Sequence, residues 1–235
     1  MNVVLDAGNT RIKVAHFERN KLLHSYLVND LAELKKKWPL QENDRALLSN
    51  VGSWNLESLA LPKSTVWLSP ETPLPLKLRY KTPQTLGNDR RALAVAACKE
   101  YKGKPVLVVD AGTCITYDLV TEAGEYLGGA IAPGLAMRYQ ALHEHTANLP
   151  RLSAPNTAID LIGNSTQNSL HSGVVLGFTA EVEMTIERYK ERYENLVVVL
   201  TGGDVNWFAH FTKNGIFARP NFLLKGLNYI LEYNA

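Results

Sequence analysis

The stretch that decides the fold is Val3-Val4-Leu5-Asp6-Ala7-Gly8-Asn9-Thr10-Arg11-Ile12-Lys13. Its apolar run predicts a buried strand, which delivers an aspartate into a small turn that contains glycine. A carboxylate suits a cation, while exposed amides, a hydroxyl and a lysine suit the oxygens of a phosphate chain. The alternation after Lys13 predicts a second strand and a hairpin. Taken alone, the stretch favours a phosphate-binding turn only slightly over an ordinary hairpin with a polar tip.

The same pattern returns about one hundred residues later in the chain. Val106 to Val109 predicts a buried strand that ends in Asp110-Ala111-Gly112-Thr113, and two further strands joined by a hairpin turn follow. Two copies inside one three-strand frame indicate an internal duplication. The predicted order β-β-β-α-β-α occurs twice, which is an α/β plan with a mixed sheet in each half. We therefore expect two domains, 1–103 and 104–235.

Composition and charge narrow the classes of function. The chain has 235 residues, 46% of them hydrophobic, which is ample for a sizeable core. Its 25 basic and 23 acidic residues give a net charge of +2, so nothing global indicates nucleic acid or an anionic membrane as a partner. We find neither a signal peptide nor a membrane span, and we expect a cytoplasmic protein.

A third glycine turn, Thr201-Gly202-Gly203-Asp204, follows an apolar run near the C-terminus. Its glycines permit the close approach of a flat purine ring or a ribose. Three such turns favour a nucleotide over a purely structural explanation. We expect the two aspartate turns to face each other across a cleft and to hold a polyphosphate and its cation from both sides.

The candidate for activating an acceptor hydroxyl is Asp89. The segment Ser69–Thr85 contains four prolines and predicts loop and extended chain. A clear helix then opens at Gly87-Asn88-Asp89-Arg90-Arg91. A carboxylate in its first turn can accept a hydroxyl proton, and Arg90 suits an acidic substrate. From spacing alone, however, a capping aspartate beside solvated arginines is the better explanation.

Five motifs together resemble those of type III pantothenate kinases, members of the acetate-kinase, sugar-kinase, Hsp70 and actin superfamily. In chain order they are D-x-G-N-T-x-x-K at Asp6 to Lys13, G-x-D-R at Gly87 to Arg90, D-x-G-T at Asp110 to Thr113, G-G-x-I-x-P-G at Gly128 to Gly134, and T-G-G-D at Thr201 to Asp204. Each motif is modest, but five in this order over the whole chain are highly specific. The resemblance implies two ribonuclease H-like (actin-like ATPase) domains, each a mixed sheet flanked by helices.

The resemblance also implies an activity, the ATP-dependent phosphorylation of pantothenate to 4'-phosphopantothenate, which is the first step of coenzyme A biosynthesis. We expect direct in-line phosphoryl transfer. By this resemblance Asp89 is the general base, which overturns the capping explanation. Asp6 positions Mg²⁺ through water, and Asp110 holds a monovalent cation, K⁺ or NH₄⁺.

The remaining contacts come from the same resemblance. Those implied for ATP are Ala7, Gly8, Asn9, Thr10, Arg11, Ile12, Lys13, Gly112, Thr113, Gly202 and Gly203. Those implied for pantothenate, besides Asp89, are Tyr80, Gly87, Asn88, Arg90 and Thr166. The family is dimeric, so a homodimer is implied whose pantothenate pocket lies at the subunit interface. Cys114 departs from the family, which more often has alanine after D-G-T.

Two alternatives stay open. Another small-molecule kinase of the superfamily would show identical aspartate turns, since only the region Gly87 to Arg90 argues for pantothenate. A non-enzymatic transcriptional accessory factor is the second alternative. A regulator that touched DNA should show a basic stripe or a helix-turn-helix, and the sequence shows neither.

Overall fold

The computed structural model describes residues 1–8, 11–37, 41, 43–211 and 216–235. They form two compact units that are not contiguous in sequence. The first unit contains residues 1–103, 120–127 and 221–235, and the second contains residues 104–119 and 128–220. No helix in the described ranges is long and apolar enough to cross a membrane.

The first unit is built on a five-stranded mixed sheet with the order β3-β2-β1-β4-β5. Strand β1 runs antiparallel to β2 and parallel to β4, and β5 continues parallel to β4. Every residue of β1 is buried, as expected for a central strand whose sequence is a nearly continuous apolar run. The strands are β1 (Asn2–Ala7), β2 (Ile12–Glu18), β3 (Lys21–Val28), β4 (Arg45–Asn50) and β5 (Thr65–Trp67).

The second sheet repeats this plan. Its order is β11-β10-β7-β8-β9-β6, so β9-β8-β7-β10-β11 reproduces the sequence β3-β2-β1-β4-β5 of the first sheet. The central strand β7 pairs in parallel with β10, as β1 pairs in parallel with β4 in the first sheet. The strands are β6 (Lys77–Leu78), β7 (Val106–Ala111), β8 (Cys114–Val120), β9 (Glu125–Pro133), β10 (Val197–Thr201) and β11 (Ile216–Ala218). The repeated order confirms the predicted α/β fold with a mixed sheet in each half.

Helices flank both sheets. In the first unit these are α1 (Leu31–Lys37), α2 (Asn88–Glu100) and α6 (Phe222–Tyr233), and in the second α3 (Leu135–Glu144), α4 (Thr166–His171) and α5 (Gly177–Arg192). The helical segment from Thr166 to Arg192 is not one continuous α-helix, because a π-helical turn, Ser172–Leu176, joins α4 to α5. A 3₁₀ segment, Val205–Phe211, follows β10 and the third glycine turn.

The two units have separate apolar cores, and each core supports one aspartate turn. Alternate residues of β1, among them Val3 and Leu5, pack with Leu34 and Leu48 in the first unit. Leu107 and Val109 of β7 pack in the second unit with apolar residues of α5 and β10. The central strands are thus fixed by packing, which places Asp6 and Asp110 near the ends of buried strands. The division of the chain into two duplicated domains, 1–103 and 104–235, stays a prediction.

Candidate active site

Asp6 lies on the buried strand β1, between a basic and a hydroxyl-bearing neighbour. It pairs in register with Lys13 of β2 on one side and with Ser49 of β4 on the other. The Ser49 hydroxyl donates a hydrogen bond of 3.2 Å to Asp6 Oδ1. Gly8 closes the hairpin beyond β1, because its amide donates to the carbonyl of Arg11 at 3.1 Å. The Asp6 carboxyl is therefore buried just before the end of β1.

Burial raises the pKa of the Asp6 carboxyl to about 6, although the Lys13 ammonium opposes this rise. The charge of Asp89 raises the pKa of Asp6 further, and the hydrogen bond from Ser49 lowers it. A buried carboxyl with a raised pKa gains from a nearby cation, which stabilises its ionised form. The environment of Asp6 therefore fits the predicted place at a metal ion.

The electrostatic influence of Asp89 on Asp6 joins two predicted site residues that lie far apart in sequence. Both belong to the first compact unit. Lys13 pairs with Asp6 in register, and the charge of Asp89 raises the pKa of Asp6. Of the other residues in the first turn, Arg11 is exposed and Ile12 is buried. Asn9 and Thr10 lie outside the described residues.

Asp89 is the second residue of α2. Gly87 occupies the N-cap position of this helix, so no side chain caps it. The Asp89 carboxylate accepts a hydrogen bond of 2.8 Å from the Arg90 amide, and the side chain is half-buried. A Cβ atom at Gly87 would collide with Asp89 Oδ1. The glycine of the G-x-D-R motif therefore leaves the room that this carboxylate orientation needs.

The expectation of solvated arginines is wrong. Arg90 is only 5% exposed and Arg91 is fully buried. The Arg90 guanidinium lies 5.8 Å from the centroid of the Tyr80 ring, so two of the predicted pantothenate contacts are adjacent. Asn88, another predicted contact, donates from Nδ2 to the carbonyl of Leu68 at 2.9 Å. Its amide thus fastens the helix start to the preceding loop.

The second aspartate turn has the same closure as the first. The Gly112 amide donates to the carbonyl of Cys114 at 3.0 Å, as Gly8 does to Arg11. Asp110 is half-buried and Thr113 is exposed. The Gly134 amide donates to the carbonyl of Thr113 at 3.2 Å, and a Cβ at Gly134 would collide with the backbone of this turn. The last glycine of G-G-x-I-x-P-G therefore packs directly on D-x-G-T.

The third glycine turn packs on the same backbone. Gly202 has a φ of +100°, and a Cβ there would collide with the backbone of Ala111. The Asp204 amide donates to the carbonyl of Ala111 at 3.0 Å. Gly203, by contrast, faces open space. Three of the five motifs consequently form one cluster in the second unit, with exposed backbone that suits a flat ligand.

Thr166 lies elsewhere in the second unit. It is the exposed first residue of α4 and lines a cavity of about 920 Å³. The rest of the lining is mainly apolar and includes Met137, Leu142, Leu170 and Val174. No motif predicts this cavity, because its lining comes mainly from α3, α4 and the π-helical turn that follows α4.

Sequence reasoning missed two residues around the site. No motif includes Ser49, yet its hydroxyl donates to Asp6 Oδ1. Arg91 is predicted to be solvated, yet it is the largest fully buried side chain among the described residues. Ser49 does have a signal in the sequence, since it lies near the end of an apolar run that a parallel sheet places beside β1. Arg91 has no such signal, because its partners are backbone carbonyls.

Solved structures share the fold of this chain. The chain has a TM-score of 0.64 and 24% identity to a Campylobacter jejuni protein assigned to the Baf family of transcriptional activators, covering 99% of this chain and 98% of that chain. It has a TM-score of 0.51 and 13% identity to the activator of the 2-hydroxyisocaproyl-CoA dehydratase from Clostridium difficile with bound ADPNP. The likeness covers 98% of this chain and 93% of that chain. These likenesses concern the fold alone, which is that of the actin-like ATPases and the related sugar kinases.

The family follows from sequence. The model of the type III pantothenate kinase family matches residues 2–188. A type III pantothenate kinase from Christiangramia forsetii is 48% identical, covering 100% of this chain and 99% of that protein. One from Bacteroides fragilis is 40% identical, covering 100% and 98%. The chain belongs to the type III pantothenate kinase family, and the predicted resemblance is confirmed.

Proposed function

We propose that this chain transfers the γ-phosphoryl group of ATP to the terminal hydroxyl of pantothenate, the first step towards coenzyme A. Family membership over the full length supports the substrates. The observation that carries the proposal is the buried Asp6 carboxyl, which lies in register with Lys13 and whose pKa the charge of Asp89 raises. It supports a proton acceptor acting near a turn that would hold phosphate and cation, and phosphoryl transfer needs these two parts together.

The aspartate turns and the third glycine turn would hold ATP. The turn from Asp6 to Lys13 supplies amides and a lysine for the phosphates, and the turn from Asp110 to Thr113 supplies a second set. Gly202 and Gly203 leave room for the adenosine. We still only predict that the two aspartate turns bind one polyphosphate from both sides.

Two cations belong to the proposal. Mg²⁺ would be held near the Asp6 carboxyl, whose burial and raised pKa suit a cation, and its chemistry is to neutralise charge on the phosphates. K⁺ or NH₄⁺ would be held by Asp110, the carboxylate of the second turn. Both assignments come from the family pattern and from the chemistry of these two carboxylates.

Asp89 acts on the acceptor. Its carboxylate takes the proton from the pantothenate hydroxyl as the hydroxyl oxygen forms a bond to the γ-phosphorus. The bond between that phosphorus and the bridging oxygen breaks, and ADP leaves with the electron pair. Tyr80, Arg90 and the Gly87–Asn88 backbone hold pantothenate in line, so that orientation supplies much of the rate enhancement.

A coupled measurement of ADP release tests this function against the rival small-molecule kinases. We expect release with pantothenate and K⁺, and no release above the ATPase background with glucose. Replacement of K⁺ by Na⁺ should cut the rate. Turnover with glucose but not pantothenate would assign the chain to another kinase class, and a complete lack of transfer would favour the non-enzymatic accessory factor.

We also propose a homodimer with the pantothenate pocket at the subunit interface. Thr166 supports it, because this predicted pantothenate contact lines a large apolar cavity on the second unit. Light scattering should give twice the mass of one chain, and a fully active monomer would contradict the proposal. A cytoplasmic location stays part of the proposal as well.

A further inference from the structure

Arg91 is a buried arginine. In the hydrogen bonds described for it, its guanidinium donates to backbone carbonyls only. Its Nε donates to the carbonyl of Leu86 at 3.1 Å and its Nη1 to that of Pro70 at 3.3 Å. Its Nη2 donates to the carbonyl of Pro83. The side chain is fully buried, so these hydrogen bonds replace water for a charge that would otherwise be costly to bury.

The three carbonyls close a loop. Pro70 stands at the start of the proline-rich segment, and Pro83 and Leu86 stand at its end, just before the G-x-D-R motif. One guanidinium therefore holds both ends of the segment 70–86. Its middle is fixed separately, where β6 pairs with the first residues of β9 in register Lys77 to Glu125.

This closed loop carries Tyr80. The Tyr80 ring lies against the Arg90 guanidinium on one side, and 5.9 Å from the centroid of the Tyr126 ring. Arg90 follows Asp89 directly, so the loop and the start of α2 together define the pantothenate contacts of the first unit. The position of Tyr80 against Arg90 depends on how the ends of the loop are held.

We propose that Arg91 is a positioning residue for pantothenate: it clamps the ends of loop 70–86 and thereby sets Tyr80 against Arg90 beside the base. This inference rests on the proposed function. Arg91 does not touch substrate. It acts through the carbonyls of Pro70, Pro83 and Leu86, and its fork of donors suits several acceptors in a way that a lysine ammonium cannot reproduce.

The test compares Arg91→Lys and Arg91→Met with the wild-type enzyme in steady-state kinetics. Loss of the clamp should raise KM for pantothenate about tenfold or more, because a displacement of about 1 Å is enough for such losses. KM for ATP should stay within about twofold, and kcat should fall less than KM rises. Lys99→Met is the matched control, since it removes a positive charge from an exposed position on the same helix, and it should match wild type.

Limited trypsin digestion adds a readout that needs no substrate. Lys81 is an exposed cleavage position between β6 and the clamped end of the loop at Pro83. In both Arg91 variants, cleavage at Lys81 should speed up about tenfold, while the rates at positions outside the loop stay constant. Arg91→Lys keeps the charge, so it provides the comparison if Arg91→Met does not fold.

Two results would overturn the inference. One is wild-type KM for pantothenate with unchanged loop cleavage in the variants. The other is an equal rise in both KM values with faster cleavage throughout the chain, which would indicate a merely structural residue. If the wild-type enzyme does not turn over pantothenate, the proposed function fails, and the digestion still decides whether Arg91 clamps the loop.

Discussion

At the scale of single residues, Asp6 meets two opposed demands. Folding buries its carboxyl almost completely, and burial disfavours the ionised form, so its pKa rises from 3.8 to about 6. Binding of a cation and a phosphate chain needs the ionised form. The residue is therefore unfavourable for the stability of the ligand-free protein and favourable for its proposed activity, as is common at functional sites.

The sign of the resulting pH dependence follows from proton linkage. Between pH 4 and pH 6 the folded state keeps a proton on Asp6 that the unfolded state has released. The free energy of unfolding therefore falls as pH rises through this window. A shift from 3.8 to about 6 corresponds to about 3 kcal/mol, since each pKa unit is worth about 1.4 kcal/mol.

We predict that Asp6→Asn stabilises the ligand-free protein at pH 8 by on the order of 1 to 3 kcal/mol and leaves it nearly unchanged at pH 4. The amide carries no charge, so the cost of burying a carboxylate is removed, and phosphoryl transfer is lost with it. Urea unfolding at both pH values measures the effect. Asp160→Asn, at an exposed aspartate, is the control, and a less stable Asp6→Asn at pH 8 would contradict this reasoning.

At the scale of elements, the contact between α2 and α6 determines where Asp89 stands. Gly226 of α6 lies directly against the backbone of Ala92 in α2, so that a Cβ on Gly226 would collide with the Ala92 carbonyl. At the C-terminal end of α2, the side chains of Lys225 and Tyr229 donate hydrogen bonds of 3.0 and 2.7 Å to the Glu100 carboxylate. Close packing and these polar contacts fix the helix whose first turn carries the proposed base.

We predict that Gly226→Ala destabilises the protein by about 1 to 3 kcal/mol, because the methyl group must push the two helices apart. Helix propensity acts in the opposite direction and favours alanine by roughly 1 kcal/mol. Gly177→Ala provides the matched control, since nothing lies within 4 Å of the added atom at the start of α5. It should be neutral or slightly stabilising in the same unfolding measurement, and equal effects of the two substitutions would refute the packing argument.

Local sequence signals account for most elements and fail where partners are distant. Strand β1 and its turn were predictable, because an apolar run and a glycine are local features. Strand β6 has only two residues, too few for a periodic pattern, and its pairing with β9 depends on the fold. Arg91 was misassigned for the same reason, since arginines are usually exposed and its acceptors are carbonyls of a loop.

At the scale of the whole molecule, the duplicated turn allowed the architecture to be predicted. Two matching sheets follow from two matching turns, each in the same frame of strands. The sequence could not predict that the C-terminal residues 221–235 belong to the first compact unit, because an amphipathic helix does not specify its partner. The electrostatic interaction between Asp89 and Asp6 likewise depends on tertiary packing.

A substitution at Asp89 gives the sharpest test of the functional assignment. The proposal makes its carboxylate the acceptor of the pantothenate proton, whereas the nucleotide is held by the glycine turns. A substitution at Asp89 should therefore separate chemistry from nucleotide binding. Asp89→Asn keeps the shape of the side chain and removes its basicity, so it changes little besides the proton transfer.

The most direct measurement is the kcat of Asp89→Asn for formation of 4'-phosphopantothenate, with ATP affinity measured on the same preparation. We predict that kcat falls by about 10² to 10⁴, the range that general-base catalysis contributes, while the Kd for ATP stays within about twofold of wild type. A variant that retains nearly wild-type kcat would contradict the role of Asp89 as the catalytic base.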